Sequence, residues 1–521
     1  MDVLKNHLRK LLAASFLFLF IAVVLNMSLW EGSKFKLSTV QNPPPYSYRA
    51  DYHFTSPDHW KNDPQRPIYL NGKYHYYYLY NKDYPDGNGT EWRHATSKDF
   101  VHWKDEGVAI PKYTNENGDV WSGSVVVDHK NTAGFGKNTI VAIITQPSAN
   151  GQQEQYLWYS LDGGDSFSAY KNEPVLSNPG TEDFRDPKVI WNVHSKKWIM
   201  LMAEGSKIGF YESGNLKDWK YTGGFQTEKM GLIECPDLFQ MRASDGTIKW
   251  VMGVSANGQE QGGPNTYAYW VGHYKGGRFV PEHEKPKWLD YGFDWYGGVT
   301  FDDGKTEDKL SHRYALAWMN NWKYANNTPT LEENFNGLDS VVRKIELKKE
   351  GQGGYFLASQ PNKGIDQFIQ STDSYRNLEV NGMKTLKTKG DVYQLEADIR
   401  LMDLKNAGIR VRESKDHSRH IDIGVSLEGG YSYVNRGLTA HPDHNDHMLE
   451  SQAPIDKNKK TVHLKVLVDK TSVEVFIDDG KVVHSNQVFP PKEDQGITLF
   501  SEGGRAVFEN VKIKHMDSAH N

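Results

Sequence analysis

The sequence predicts an all-β protein in which a five-bladed β-propeller is followed by a C-terminal antiparallel β-sandwich. The first observation behind this prediction is a regular spacing. Five short segments of similar character, ahead of apolar strands, recur around Asp63, Ser122, Asp186, Glu234 and Tyr296. The intervals between these residues are 59, 64, 48 and 62 positions. A recurrence of this length is typical of an architecture that repeats one supersecondary unit.

A second repeat runs out of phase with the first. Its copies combine a strand, a polar turn and an aromatic closing residue, and they span 94–103, 158–167 and 210–219. Five such units fit a five-bladed propeller, whose innermost strands begin around one central pocket. Carboxylates at the starts of the first, third and fourth inner strands are therefore expected to face one another across that pocket.

The last part of the chain carries a different pattern. Alternating apolar and polar residues over 393–399, 461–468 and 472–477 predict antiparallel strands, and Asp479-Gly480 and Gly503-Gly504 predict tight turns. This pattern favours a β-sandwich. The predicted domains are 47–345 for the propeller, 346–364 for a linker and 365–521 for the sandwich.

The N-terminus has the features of an export segment. Three basic residues within the first ten positions precede an uncharged apolar run over 11–25, which is the order of a secretory signal. No small-residue cleavage site follows, so residues 1–30 are interpreted as either a signal peptide or a retained membrane anchor. A proline-rich stretch at 31–46 predicts a linker. The protein is therefore expected to be secreted, or anchored at the outer face of the cell membrane.

Composition argues against several classes of function. Lys and Arg number 61 against 66 Asp and Glu, so no basic excess indicates a nucleic-acid partner. The single cysteine, Cys235, rules out an intrachain disulfide and any zinc site built on cysteines, and an exported chain without disulfides favours a bacterial source. No cofactor or metal is predicted, although a ring of aspartates is kept as an alternative cation site. The 15 Trp and 28 Tyr suit a large β core and the stacking of sugar rings.

Asp63, Asp186 and Glu234 are the candidate catalytic residues. Hydrolysis of a glycosidic bond needs one carboxyl group to attack or to activate water and another to protonate the leaving oxygen. Asp63, followed by a proline, suits a fixed and ionised nucleophile. Glu234 has the longer arm of a proton shuttle, and we expect desolvation to raise its pKa. Asp186 stands beside Arg185 and is expected to stay ionised.

Five motifs together resemble glycoside hydrolase family 32, the group of invertases, inulinases and levanases. They are Trp60-Lys-Asn-Asp-Pro64, Ser122-Gly-Ser124, Phe184-Arg-Asp-Pro187, Glu234-Cys-Pro-Asp237 and Ala317-Trp-Met319, and the segment 472–476 resembles the sandwich motif of that family. The resemblance implies a propeller joined to a sandwich and retaining hydrolysis of β-fructofuranosides. It implies Asp63 as nucleophile, Asp186 as transition-state stabiliser and Glu234 as acid/base. It also implies six substrate contacts, from Trp60, Asn62, Trp121, Ser122, Arg185 and Trp318.

Departures from the family pattern bear on specificity. The first family motif continues Asp-Pro-Asn-Gly, whereas this chain has Asp63-Pro64-Gln65-Arg66, and Leu79 replaces a glutamine on the next strand. Together with 294–298 and 319–322, these changes resemble a bacterial subgroup of endo-levanases that releases levanbiose. The resemblance therefore implies cleavage of β-2,6-linked levan within the chain.

Three alternatives stay open on sequence alone: an exo-acting β-fructofuranosidase of the inulinase or invertase kind, a fructosyltransferase, and a non-catalytic glycan-binding propeller. Transfer would use the same covalent fructosyl-enzyme, intercepted by a sugar instead of water. Four further side chains are predicted to stack on neighbouring sugar units: Tyr113, Trp158, Tyr296 and Trp322.

Overall fold

The computed structural model describes residues 47–351, 354–441, 444 and 447–518. The predicted export segment at 1–30 and the predicted linker at 31–46 lie outside the described residues. Within the described ranges, no helix is long and apolar enough to cross a membrane.

Five sheets follow one another and form the predicted propeller, and their strands pair antiparallel except for one short parallel pair in the first sheet. The first two contain β1 (His59–Leu70), β2 (Lys73–Asn81), β3 (Glu91–Ser97) and β4 (Lys104–Ile110), then β5 (Gly123–Asp128), β6 (Thr139–Pro147), β7 (Gln153–Ser160) and β8 (Ser168–Ala169). The next two contain β9 (Arg185–Asn192), β10 (Lys197–Glu204), β11 (Lys207–Ser213) and β12 (Lys220–Gln226), then β13 (Ile233–Arg242), β14 (Ile248–Asn257), β15 (Asn265–Lys275), β16 (Arg278–Pro281) and β17 (Lys287–Trp288). The rest are β18 (Tyr296–Asp302), β19 (Arg313–Trp318), the short β20 (Phe335–Asn336), β21 (Arg343–Glu350) and β22 (Gly354–Pro361), and of these β20 joins the first sheet beside β1.

The inner strands of the five blades close into a ring. Strands β1, β5, β9, β13 and β18 contact one another in that order, and β18 contacts β1. A hydrogen bond between Ser122, just before β5, and Asp63 on β1 shows that strand starts meet at one end of the channel. The geometry therefore gathers the first residues of different blades into a common pocket.

The propeller extends further than the sequence predicted. Residues 346–350 and 354–361, assigned above to a linker, lie in β21 and β22, the two outer strands of the fifth blade. Ile345, Leu347 and Leu357 account for this difference, because they pack with residues of the fourth blade in one apolar cluster. A 3-10 helix, Lys363–Phe368, separates β22 from the strands of the C-terminal sheet. Two other 3-10 helices in the described ranges are Gln259–Gln261 and Pro329–Glu333.

The C-terminal domain is the predicted antiparallel β-sandwich. Its strands are β23 (Ile369–Tyr375), β24 (Leu378–Thr385), β25 (Tyr393–Leu401), β26 (Asn406–Glu413), β27 (His420–Ser426), β28 (Tyr431–Leu438), β29 (Glu450–Pro454), β30 (Thr461–Asp469), β31 (Ser472–Ile477), β32 (Val482–Gln487) and β33 (Gly496–Met516). The 21-residue β33 pairs with β26 in its first part and with β25 in its last part. Gly503-Gly504, predicted as a turn, lies inside β33 between these parts, whereas Asp479-Gly480 lies in the turn between β31 and β32 as predicted.

Buried charges join the two domains. Arg343 on β21 pairs with Asp290 at 2.8 Å and with Glu474 on β31. His53 lies 2.8 Å from Asp469 and 2.9 Å from Glu474 through its two ring nitrogens. None of these five side chains has exposed surface. The acidic residue of the 472–476 motif is therefore an anchor between the domains.

Candidate active site

Bulges at the starts of the inner strands position the functional side chains. In β9 and β13 the pairing register shifts so that Asp186-Pro187 and Cys235-Pro236 each face a single partner residue. Proline suits such a position because it has no N–H to donate to the ladder. The backbone at Asp186 and Cys235 is left-handed, with φ of 60° and 48°. Non-glycine residues in this conformation are uncommon and concentrate at functional sites.

Asp63 is held by one of its two oxygens. The Ser122 hydroxyl donates to Oδ2 at 2.9 Å, and the Cys235 thiol lies 3.8 Å from the same atom. The other oxygen, Oδ1, is buried and has no hydrogen-bond partner among the described residues. Burial, followed by repulsion from Glu234, raises the pKa of Asp63 to about 6, against the hydrogen bond from Ser122. The pKa of Asp63, predicted to be a fixed and ionised nucleophile, is therefore closer to neutral than that of an ordinary aspartate.

Asp186 is a buried carboxyl group, although it stands beside Arg185 in the sequence. Its Oδ2 accepts from the Cys235 backbone N–H at 3.0 Å, with the Cys235 thiol at 3.6 Å. Burial raises the pKa of Asp186, and repulsion from Glu234 raises it further, while Arg185 opposes both. Arg185 therefore favours the ionised form of Asp186, as predicted, but does not fully offset the effect of burial on its pKa.

Glu234 accepts the hydrogen bond of the Arg185 side chain. Arg185 Nε donates to Glu234 Oε1 at 3.1 Å, and the guanidinium is fixed from behind by Asp183 at 2.5 Å. Tyr296 donates its hydroxyl to the other oxygen, Oε2, at 2.6 Å. The Glu234 side chain keeps a fifth of its surface exposed. It is therefore oriented by two donors while one side remains open to the pocket.

Tyr296 has a role that the sequence analysis missed. It was predicted as a stacking platform, but it is almost completely buried and its hydroxyl is committed to Glu234. Burial, then the charge of Glu234, raises the pKa of Tyr296 well above its usual value, so it acts as a neutral donor. The place of Tyr296 in the fifth repeat indicated that it lies in the pocket. Its hydrogen bond to Glu234, 62 residues away, could not be predicted because only the fold brings the two side chains together.

An aromatic cluster borders Asp63. The Trp60 indole N–H donates to Asn62 Oδ1 at 2.9 Å, which locks both of these predicted contact residues at the start of β1. Trp318 has no exposed surface and packs behind Trp60 and Trp322. Trp318 stays a predicted substrate contact, and its indole nitrogen is buried without a hydrogen-bond partner among the described residues. Trp322, half exposed and stacked near Trp60, offers the accessible ring.

The remaining predicted aromatic contacts separate by exposure. Trp121 is partly exposed and its indole N–H donates to Asp119 at 3.0 Å. Tyr113 is 59% exposed, whereas Trp158 is 4% exposed and lies in the core between the first two blades. Trp158 was therefore wrongly predicted as a platform. Within the described ranges, no cluster of three or more His, Cys, Asp or Glu side chains is arranged to hold a metal ion.

Sequence comparison identifies the family. Residues 53–361 match the model described as "Glycosyl hydrolases family 32 N-terminal domain", and residues 364–515 match "Glycosyl hydrolases family 32 C terminal". The chain belongs to glycosyl hydrolase family 32. The predicted family, the propeller-plus-sandwich fold and the assignment as a glycoside hydrolase are confirmed.

The relatives of this chain cover between three quarters and nearly all of its length. A levanbiose-producing levanase of Bacillus subtilis (strain 168) is 61% identical over 96% of this chain and 97% of its own length. A levanbiose-producing levanase of Geobacillus stearothermophilus is 63% identical over 76% of this chain and 100% of its own length. The crystal structure of an exo-inulinase from Aspergillus awamori superposes with a TM-score of 0.82 at 27% identity, over 92% of this chain and 100% of that one.

Proposed function

We propose that this glycoside hydrolase is a fructan hydrolase that cleaves β-2,6 bonds within levan and releases levanbiose and short oligosaccharides. The observation that carries the proposal is the convergence of Asp63, Asp186 and Glu234 in one pocket, linked through Cys235 and Arg185. Two relatives above 60% identity that are named levanbiose-producing levanases support the choice of substrate.

The proposed mechanism is a retaining double displacement. Asp63 attacks the anomeric carbon through Oδ1, the oxygen that no described residue occupies, while Glu234 protonates the leaving oxygen. Glu234 then removes a proton from the water that hydrolyses the fructosyl-enzyme. In enzymes of this kind the two carboxyl groups lie about 5–5.5 Å apart, and we predict that separation here.

Asp186 is proposed to stabilise the transition state. Its carboxylate is fixed by the backbone N–H of Cys235, so it is held rigidly where sugar hydroxyls and oxocarbenium-like charge would lie. A preorganised charge in a site shielded from water acts more strongly than the same charge in solvent. The proposed substrate contacts are Trp60, Asn62, Trp121, Ser122, Arg185 and Trp318, and the exposed Trp322 is added to them.

Internal attack is the finer part of the proposal. Leu79, which stands where the family pattern has a glutamine, is buried in the core between the first two blades and offers no polar group to a terminal sugar. Trp322 and Tyr113, 50% and 59% exposed, present rings on which further sugar units can stack. Both features favour a bound chain segment over a chain end.

Analysis of products over time tests the proposal. Levan, inulin and sucrose are incubated separately with the enzyme, and products are resolved by thin-layer chromatography from the earliest time points. We expect levanbiose and short oligosaccharides from levan, with inulin and sucrose as poor substrates. Release of free fructose alone from levan, or equal cleavage of sucrose, would contradict internal attack but not fructoside hydrolysis. Products longer than the donor at high substrate concentration would indicate transfer.

Replacement of the nucleophile supplies the first mutational prediction. Asp63→Asn should lower turnover roughly a thousandfold or more while levan binding is retained. Because burial lifts the folded pKa of Asp63 to about 6, above about 3.9 in the unfolded chain, the ionised carboxylate opposes folding at pH 7. Asp63→Asn should therefore melt at the same or a higher temperature than the wild type. Activity within about tenfold of the wild type would exclude Asp63 as nucleophile.

Export remains part of the proposal. The basic start and apolar run of residues 1–30 suit secretion or anchoring at the outer face of a bacterial membrane. Cell fractionation with N-terminal sequencing of the mature protein distinguishes a cleaved signal from a retained anchor. Enzyme found only in the cytosol would contradict export.

A further inference from the structure

Gln65 is a buried polar side chain next to the nucleophile that no step of the mechanism uses. It lies on β1, two residues after Asp63, and is 1% exposed. A buried amide must have its donors and acceptor satisfied, so its partners reveal which way it points.

The partners of Gln65 fix the orientation of its amide. Its Oε1 accepts from the backbone N–H of Gly123 at 2.8 Å. Its Nε2 lies 3.1 Å from the carbonyl oxygen of Asp63 and 3.3 Å from Ser122 Oγ. A backbone N–H can only donate and a carbonyl oxygen can only accept, so the amide cannot be flipped without losing both contacts.

This orientation determines the direction of the next hydrogen bond. With Nε2 as the donor, Ser122 Oγ accepts from Gln65, and the hydroxyl hydrogen of Ser122 is left to donate to Asp63 Oδ2 at 2.9 Å. The chain therefore runs in one direction, from amide to hydroxyl to carboxylate. A donated hydrogen bond favours the ionised form of a carboxylate.

We propose that Gln65 is a positioning residue that, through Ser122, holds Asp63 by Oδ2 and leaves Oδ1 to attack. This inference rests on the proposed function of Asp63 as nucleophile. Gln65 itself does not contact the reacting atoms. Gln65 stands at a position where this chain departs from the family pattern. Because Ser122 accepts from Gln65, its hydroxyl hydrogen is directed to Asp63.

Other charged and titratable groups also face Asp63, and the test must separate their effects from that of Gln65. They lie on strands β1, β2, β9, β13 and β18 and are Lys61, Tyr76, Asp186, Glu234, Cys235 and Tyr296. None of them forms a hydrogen bond to the Gln65 side chain within the described ranges. A double-mutant cycle between Gln65 and Ser122 therefore isolates the proposed path.

The experiment measures kcat and KM against pH for wild type, Gln65→Ala, Ser122→Ala and the double variant. The substrate is whichever of levan, inulin and sucrose the wild type cleaves, so failure of the levan proposal does not prevent the test. We expect Gln65→Ala to lower kcat roughly tenfold, to change KM less than about threefold and to move the acid limb of kcat to higher pH. In the Ser122→Ala background, Gln65→Ala should cost less than about twofold more.

Two further variants keep the test decisive. Gln65→Glu preserves size but offers only acceptors when ionised, so it should draw the Ser122 hydroxyl away from Asp63 and lower kcat at least as much as Gln65→Ala. Gln394→Ala removes a buried glutamine of the sandwich and should affect stability without moving the acid limb. An unmoved acid limb in both Gln65 variants, or an equal loss of kcat with and without Ser122, would overturn the proposal.

Discussion

At the scale of single residues, three blades repeat one unusual backbone conformation. Asp186, Cys235 and Gly297 each begin a two-residue bulge, and each has a positive φ, 63° at Gly297. A β-carbon on Gly297 would lie 2.9 Å from Asp63 Oδ1, closer than side-chain carbons approach in real structures. The glycine therefore leaves room beside the oxygen proposed to attack the sugar.

Gly297→Ala tests this role. The added methyl group should displace Asp63 and lower kcat/KM by about 10- to 100-fold, while strain at positive φ costs about 1–2 kcal/mol of stability. Gly276→Ala is the matched control, because Gly276 has φ of 60° and open space around its Cα. It should show the loss of stability without the loss of activity. Equal kcat/KM for the two variants would show that activity does not depend on the space beside Asp63 at Gly297.

Cys235→Ser tests the thiol that touches two carboxylates. Burial, followed by the charges of Asp186 and Asp63, raises the pKa of this thiol well above its usual range, so it is neutral and acts as a weak donor. A serine hydroxyl donates more strongly, so the ionised carboxylates are stabilised and their pKa values fall. We expect the acid limb of kcat/KM to move to lower pH while turnover persists. Complete inactivation would show that the sulfur has a further role.

At the scale of elements, the sequence predicted strand starts well and bulges poorly. Asp-Pro and Cys-Pro next to apolar runs are local signals, so the approximate positions of Asp63, Asp186 and Glu234 at strand starts could be found. A bulge depends on the register with a neighbouring strand, which is a non-local property. For the same reason, the sequence did not predict that Arg185, whose charge acts on Asp186 as expected, donates its hydrogen bond to Glu234.

The connection between β19 and β20 illustrates the same limit. Trp318 and Trp322 are four residues apart and equally aromatic, but one is the last residue of β19 and fully buried, and the other is half exposed. Burial of one indole rather than the other is decided by packing against Trp60. Sequence could identify the cluster but not its accessible member.

Trp322→Ala tests the exposed ring as a substrate platform. Stacking contributes to polymer binding more than to the chemical step, so KM for levan should rise about fivefold to tenfold with kcat changed less than about twofold. Tyr221→Ala, at a comparably exposed aromatic on the outer strand β12, is the control and should leave both constants unchanged. An unaltered KM for Trp322→Ala would locate the polymer elsewhere.

At the scale of the whole molecule, the sandwich supports the rim of the active site. Arg436 on β28 is buried and donates to Asp294 at 2.7 Å and to the Tyr324 hydroxyl at 2.8 Å. Asp294 stands two residues before Tyr296, and Tyr324 two residues after Trp322. The sequence analysis predicted the sandwich domain itself. It did not predict this contact, because the residues are more than 100 positions apart and only the fold joins them.

The buried charges between the domains predict how stability depends on pH. Burial alone would lower the pKa of His53, but hydrogen bonds to Asp469 and Glu474 outweigh it and raise the pKa to about 9. The unfolded value is about 6.5, so this contribution is complete below about pH 6.5 and is lost as pH rises through 9. The slope from one such group is at most about 1.4 kcal/mol per pH unit.

His53→Gln should flatten the decline of the free energy of unfolding between pH 6.5 and 9, measured by urea denaturation at several pH values. His484→Gln is the control. Burial lowers the pKa of His484 to about 3, so above pH 6.5 this ring is mainly neutral in both states and adds little to the alkaline slope. The same decline in His53→Gln as in the wild type would show that the link between the domains does not depend on a charged His53. The alkaline loss would then have to come from other groups.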